Sequence, residues 1–177
     1  MSPMILIGVG WLLATLGFGG FLGPLGGPAT IAGYGAMAYG LHQIRWRSDW
    51  FGRAFWLAVV ALVLVGLIVA DLILNRAQVY TVVLTQGAIA FSVARGVQAC
   101  LATSEPPTGK QRALTITGML VAASLVAIVL LDTVLAAGAD LPATPLALVV
   151  FVSGLATIVF GVLVLTLNRE PALQAEG

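Results

Sequence analysis

The sequence predicts an all-α membrane protein: six transmembrane helices in three repeated hairpins, with both termini cytoplasmic. Three observations predict it. Hydrophobic residues make up 60% of the 177-residue chain and charged residues only 8%, against roughly 25% charged in a soluble domain. Apolar stretches recur at a length that suits a hydrocarbon core of roughly 30 Å, or about 20 helical residues. Small residues recur at every fourth position in each second stretch, the spacing that lets helix backbones approach in lipid.

The six stretches lie near residues 3–21, 28–43, 54–75, 78–102, 113–137 and 145–168. Pro3, Pro28 and Pro145 stand at predicted helix starts, where a missing N–H is one of the unpaired groups anyway. The first stretch, MSPMILIGVGWLLATLGFGG, lacks both the basic leader and the small-residue cleavage site of a signal peptide, so it reads as a retained helix. Basic residues set the orientation. Arg45, Arg47 and Arg53 follow span two, Lys110 and Arg112 follow span four, and Arg169 follows span six. The opposite side carries only Arg76, which places both termini inside. Trp46, Trp50 and Trp56 cluster with the first basic loop, as an interfacial aromatic belt would.

The chain reads as one transmembrane domain over 1–177, with hairpin repeats near 3–43, 54–102 and 113–168. Odd spans are plain aliphatic helices. Even spans carry small-residue ladders: Ala32, Ala36 and Gly40; Ala88, Ser92, Gly96 and Cys100; Ser153, Thr157 and Gly161. These are the expected helix-packing residues, and an exposed ladder would be open to a second copy of the chain or to a partner helix.

Polar residues inside the spans are the candidate functional positions. Asp71 and Asp132 sit near the outer ends of spans three and five, at matching places in two repeats. Matching placement favours a shared helix-end role, such as an Asp71–Arg76 pair, over proton carriage. Gln86 lies near mid-depth and is expected to hydrogen-bond between helices. Arg95 lies about 13 Å inside its span by helix rise. It is expected to snorkel to the inner interface, or else to meet an acceptor such as Gln43 or a lipid phosphate.

Catalytic, cofactor and metal constellations are not legible. One histidine, His42, and one cysteine, Cys100, exclude a multi-His zinc site and an internal disulfide. No G-x-S-x-G stretch occurs. "IVAD" and "VLLD" lack the Gly-x-Gly-Asp turn of intramembrane aspartyl proteases. Near-neutral charge with no basic run argues against nucleic acid. No cofactor is therefore expected, and the lipid bilayer is the first partner. Arginine outnumbers lysine seven to one, which points to a GC-rich bacterial genome.

The inner ends of the even spans read "AMAYGLHQIRW" at 36–46, "SVARGVQACLA" at 92–102 and "IVFGVLVLTLN" at 158–168. In these segments, and in its three-hairpin plan, the sequence resembles the HdeD-like bacterial membrane proteins associated with acid resistance. That resemblance implies a stress-tolerance protein of the bacterial cytoplasmic membrane, with no catalytic residues to carry over. The expected function is thus non-enzymatic, through packing, partner binding or stress tolerance. The alternatives are a small transporter or membrane ligand-binding subunit, and an accessory subunit of a larger membrane complex. Transport would require Gln86, Arg95 and Tyr39 to face one cavity.

Overall fold

The computed structural model describes residues 2–18, 23–70, 76–101, 109–138, 143–170 and 173. Among them the regular structure is entirely helical. Six α-helices follow in order: α1 (Pro3–Phe18), α2 (Gly26–Ile44), α3 (Asp49–Val69), α4 (Arg76–Leu101), α5 (Gly109–Ala136) and α6 (Ala143–Thr166). Short 3₁₀ turns over Gly23–Leu25, Arg45–Arg47 and Leu167–Arg169 extend or join them.

Local chemistry sets the boundaries. The Ser2 carbonyl accepts the Ile5 and Leu6 N–H groups, and Pro3 opens α1 where no donor is needed. Helix α3 begins five residues earlier than its apolar run, because the Ser48 hydroxyl accepts the Trp50 N–H at 3.3 Å as an N-cap. Asp49 in that first turn complements the helix dipole. The turn that follows α5 is made by Gly138, whose φ of 89° suits glycine and strains other residues. There the Ala137 N–H bonds the Thr133 carbonyl and the Gly138 N–H bonds Leu135, closing the last turn.

Four segments are long and apolar enough to cross a membrane: Asp49–Val69, Arg76–Leu101, Gly109–Ala136 and Ala147–Arg169. Helix α1, with 16 residues, is about 24 Å long. Helix α2 has 19 residues, but glycines, Tyr34, His42 and Gln43 dilute its apolar character. The outward faces of α3, α5 and α6 are aliphatic and exposed, for example at Val63, Ile116, Leu130, Phe151 and Leu155. Such a surface needs lipid rather than water around it.

Each helix packs on the next in sequence, and α6 returns to pack on α1, so the six close into one bundle. The Ser2 hydroxyl reaches the Asn168 carbonyl at 3.5 Å, which brings the start of α1 and the end of α6 to the same end. Side-chain volume explains where backbones meet. A Cβ on Gly33 would lie 2.4 Å from the Ala14 nitrogen and 2.6 Å from the Gly10 carbonyl oxygen. Gly10 faces Met37, Gly17 faces Gly26 and Thr30, and Gly40 faces Pro3, so glycine lets α1 and α2 touch along their whole length. Elsewhere one glycine receives one large group. Gly96 of α4 takes the Phe51 ring of α3, and Gly161 of α6 takes Trp11 and Leu12 of α1. Gly118 of α5 lies against Ala94 of α4 and the Phe160 ring of α6.

The α1–α2 seam therefore runs through Gly26, Thr30, Gly33, Met37 and Gly40, in alternating four- and three-residue steps instead of the four-residue ladder expected in span two. Ala32 is exposed, Ala36 half-buried, and only Gly40 of that ladder lies in the seam. The α6 ladder of Ser153, Thr157 and Gly161 is buried. In α4, Ser92 and Gly96 are buried, while Ala88 and Cys100 are half-buried.

The seam makes a sharp contrast testable. Gly33→Ala forces a methyl into backbone and should destabilise the bundle by about 1–3 kcal/mol. Gly35, where an added Cβ meets nothing within 4 Å, should tolerate Ala with a gain of about 0.5–1 kcal/mol. Unfolding in mixed micelles, followed by circular dichroism, measures both; equal effects would show that the seam is not close-packed.

Candidate functional site

Polar groups gather at three levels of the bundle. Arg76 opens α4 at one end, and there Tyr80 of α4 donates its hydroxyl to the Asp132 carboxylate of α5. Asp132 is half-buried and one turn short of the end of α5. It thus ties two neighbouring helices together, through a tyrosine that the sequence reading did not single out. The signal available was Tyr80 itself, a phenol one turn into a span whose partner span carries an acid at the same depth. Asp71 lies outside the described residues.

At mid-depth a hydrogen-bonded series crosses three helices. Gln86 of α4 donates to the Thr15 hydroxyl of α1 at 3.0 Å, and Thr15 donates in turn to the Trp11 carbonyl at 2.8 Å. The Trp11 indole N–H donates to the Thr157 carbonyl of α6 at 2.9 Å. That carbonyl is accessible because Gly161, one turn on, lets the indole approach. Trp11 is fully buried and meets the Phe160 ring edge-on at 4.9 Å between centroids. Close by in the sequence of α2, Tyr34 is also fully buried, and its hydroxyl finds no hydrogen-bond partner among the described residues.

The third level is the arginine-rich end. Trp50 at the start of α3 stacks edge-on against Phe91 of α4, with centroids 5.8 Å apart. Two guanidinium groups lie over the same indole: Arg53 at 4.7 Å and Arg95 at 5.8 Å. Arg95 also donates to the Gln98 carbonyl oxygen at 2.9 Å, so it has curled back toward the helix end. A cavity of about 250 Å³ opens here between Trp50, Arg95, Gln98 and Ala99. A second, of about 190 Å³, lies on the other side of Gln98 against Gln111, Arg112, Thr115 and Ile116 of α5. Across the same end, Arg45 in the turn after α2 lies over the Phe55 ring at 5.5 Å, and His42 of α2 packs against that ring at the same distance. Trp46 and Trp56 are exposed beside them.

Gln86, Arg95 and Tyr39 are therefore not brought together. Gln86 is buried between α4 and α1, Arg95 sits on Trp50 at the arginine-rich end, and Tyr39 is 61% exposed on α2. No group of three His, Cys, Asp or Glu side chains assembles among the described residues. Cys100 faces the Arg47 carbonyl at 3.7 Å.

The fold and these levels define an all-helical, multi-pass membrane protein. Compared with models of protein families, with curated proteins and with solved structures, the chain gives no match.

The mid-depth series has a measurable coupling. In a double-mutant cycle, Gln86→Leu and Thr15→Val should couple by about 0.6 kcal/mol, and by no more than about 1.7, the range of interhelical hydrogen bonds in membranes. Unfolding of the four variants in mixed micelles measures it. Strict additivity would remove Gln86 as a link between α4 and α1.

Proposed function

We propose that the chain is a non-enzymatic, six-span protein of a bacterial cytoplasmic membrane, of the HdeD-like type, acting through packing and partner binding in stress tolerance. One observation carries this reading. The polar side chains that could have lined a substrate path occupy three separate environments, and the mid-depth ones bond to each other across helix seams. A transporter of this size would need such groups to converge on a shared site near the membrane midplane. Here Gln86, Thr15 and Trp11 use their hydrogen-bonding capacity to hold α4, α1 and α6 together.

Crossing by all six helices is supported by the ring order, in which α1 and α2 pack beside longer apolar neighbours. Inside termini are supported by the basic residues at the end shared by Ser2 and Asn168. The repeated-hairpin plan and the even-helix sequences support the HdeD-like type. Partner binding is supported by small exposed positions: Ala32 is exposed, and Gly154 is exposed with nothing within 4 Å of an added Cβ. Both leave backbone open to a further helix, in an oligomer or in an accessory role within a larger complex.

Native mass spectrometry of protein gently extracted from its own membrane tests the reading. A discrete oligomer or a second polypeptide, without a stoichiometric non-lipid small molecule, is expected. A polar metabolite retained one-to-one by the monomer would overturn it in favour of transport or ligand binding.

A further inference from the structure

The arginine-rich end contains an arrangement that packing alone does not account for. Arg53 and Arg95 lie 4.7 and 5.8 Å from the centroid of the same Trp50 ring, and Arg112 lines the neighbouring cavity. Among the described residues, none of the three forms an ion pair with a carboxylate. Asp49 lies one turn before Arg53 on α3, so the charges that still call for an anion are those of Arg95 and Arg112, since like charges at a membrane surface repel unless an anion lies among them. Arg95 also lies nearly two turns inside α4, and its guanidinium meets Trp50 in the first turn of α3 and Gln98 of its own helix. Tryptophan is the residue type that marks the level of lipid headgroups beside a helix bundle.

The two cavities divide the charges. One holds Arg95 with Trp50, the other Arg112 with Thr115, and Gln98 forms a wall of both. Gln98 gives its carbonyl oxygen to Arg95, which leaves its amide N–H groups to donate elsewhere. Thr115 gives its hydroxyl proton to the Gln111 carbonyl, which orients that side chain toward its own helix. Guanidinium and amide donors are the groups that phosphate oxygens recognise. Ile116, 66% exposed at the edge of the second cavity, continues the site into the apolar outer face of α5. A ligand that fits has anionic phosphate at the polar end and an acyl chain leaving along the helix.

We propose that the groove between α3, α4 and α5 binds the headgroup of an anionic phospholipid bearing two phosphates, one facing Arg95 and the other Arg112, bridged at Gln98. The pairing of one arginine with each of two adjoining cavities selects a two-phosphate headgroup over a single one. Basic pockets between transmembrane helices are a known way to hold such headgroups. Trp50 supplies an optical reporter within the site.

The test uses the full-length chain in nanodiscs of phosphatidylcholine doped with cardiolipin, or with phosphatidylglycerol at matched total charge. Lipid retention is read by native mass spectrometry and contact by quenching of Trp50 with brominated lipid, in a background where the other tryptophans are phenylalanine. One cardiolipin retained per chain, in preference to phosphatidylglycerol, is expected. Arg95→Gln and Arg112→Gln should each weaken retention about fivefold, the effect of one surface charge near anionic lipid. Arg112 is exposed, so Arg112→Gln should fold normally, and Arg169→Gln, at the end of α6, should change nothing. Equal retention of phosphatidylglycerol would overturn the two-phosphate assignment. Equal retention of phosphatidylcholine, or displacement of the lipid by millimolar inorganic phosphate, would overturn the lipid site itself.

Discussion

In lipid, apolar surface gains nothing by leaving its solvent, so helices must be held by close contact and by polar links. Everything in this bundle follows from that constraint. Glycine at the α1–α2 seam brings backbones together where a single methyl would overlap backbone atoms, as at Gly33. At the other interfaces a glycine accepts one aromatic or branched side chain, as Gly96 accepts Phe51. Between these seams, Gln86, Thr15, Trp11 and Thr157 form the polar links, placed at the depth where an unpaired group would be most expensive. Helix α1 is the hub of both devices. It is short, but it meets α2 through glycine, α6 through Trp11 and α4 through Thr15.

The same constraint decides what the polar residues are for. Asp132 is answered by Tyr80 and Gln86 by Thr15, so both join helices instead of facing a shared space. Arg95 differs. Its partners, Trp50 and Gln98, steer it to the membrane edge but leave its charge without an opposite charge among the described residues. The arginine-rich end is thus where the chain is chemically open, and the mid-membrane region is where it is closed.

Much of this was legible in the sequence. Low charge and apolar length announce an all-helical membrane chain, and Trp50 beside Arg53 announces an interface. Gln86 was legible as an interhelical link because a buried amide in lipid has few other uses. Register was not legible. Small residues at every fourth position of span two point to Ala32, Ala36 and Gly40, but Thr30, Gly33, Met37 and Gly40 define an adjoining face by alternating three- and four-residue steps. Two adjoining faces that share Gly40 on a glycine-rich helix look alike until a neighbour chooses between them, and here Gly10, Ala14 and Gly17 chose. Partners distant in sequence were equally hidden. Tyr80 and Asp132 are 52 residues apart, and Trp11 and Thr157 are 146 apart.

The bundle is held at mid-depth by its own polar groups. Substituted-cysteine accessibility tests this most directly. In a Cys100→Ser background, single cysteines at Thr15, Gln86 and Thr157 are exposed to a membrane-impermeant methanethiosulfonate reagent from each side of sealed vesicles. All three should stay unreactive from both sides, while a cysteine at Arg112 reacts. Labelling at Gln86 and Thr15 from either side would instead reveal a water-filled path between the helices.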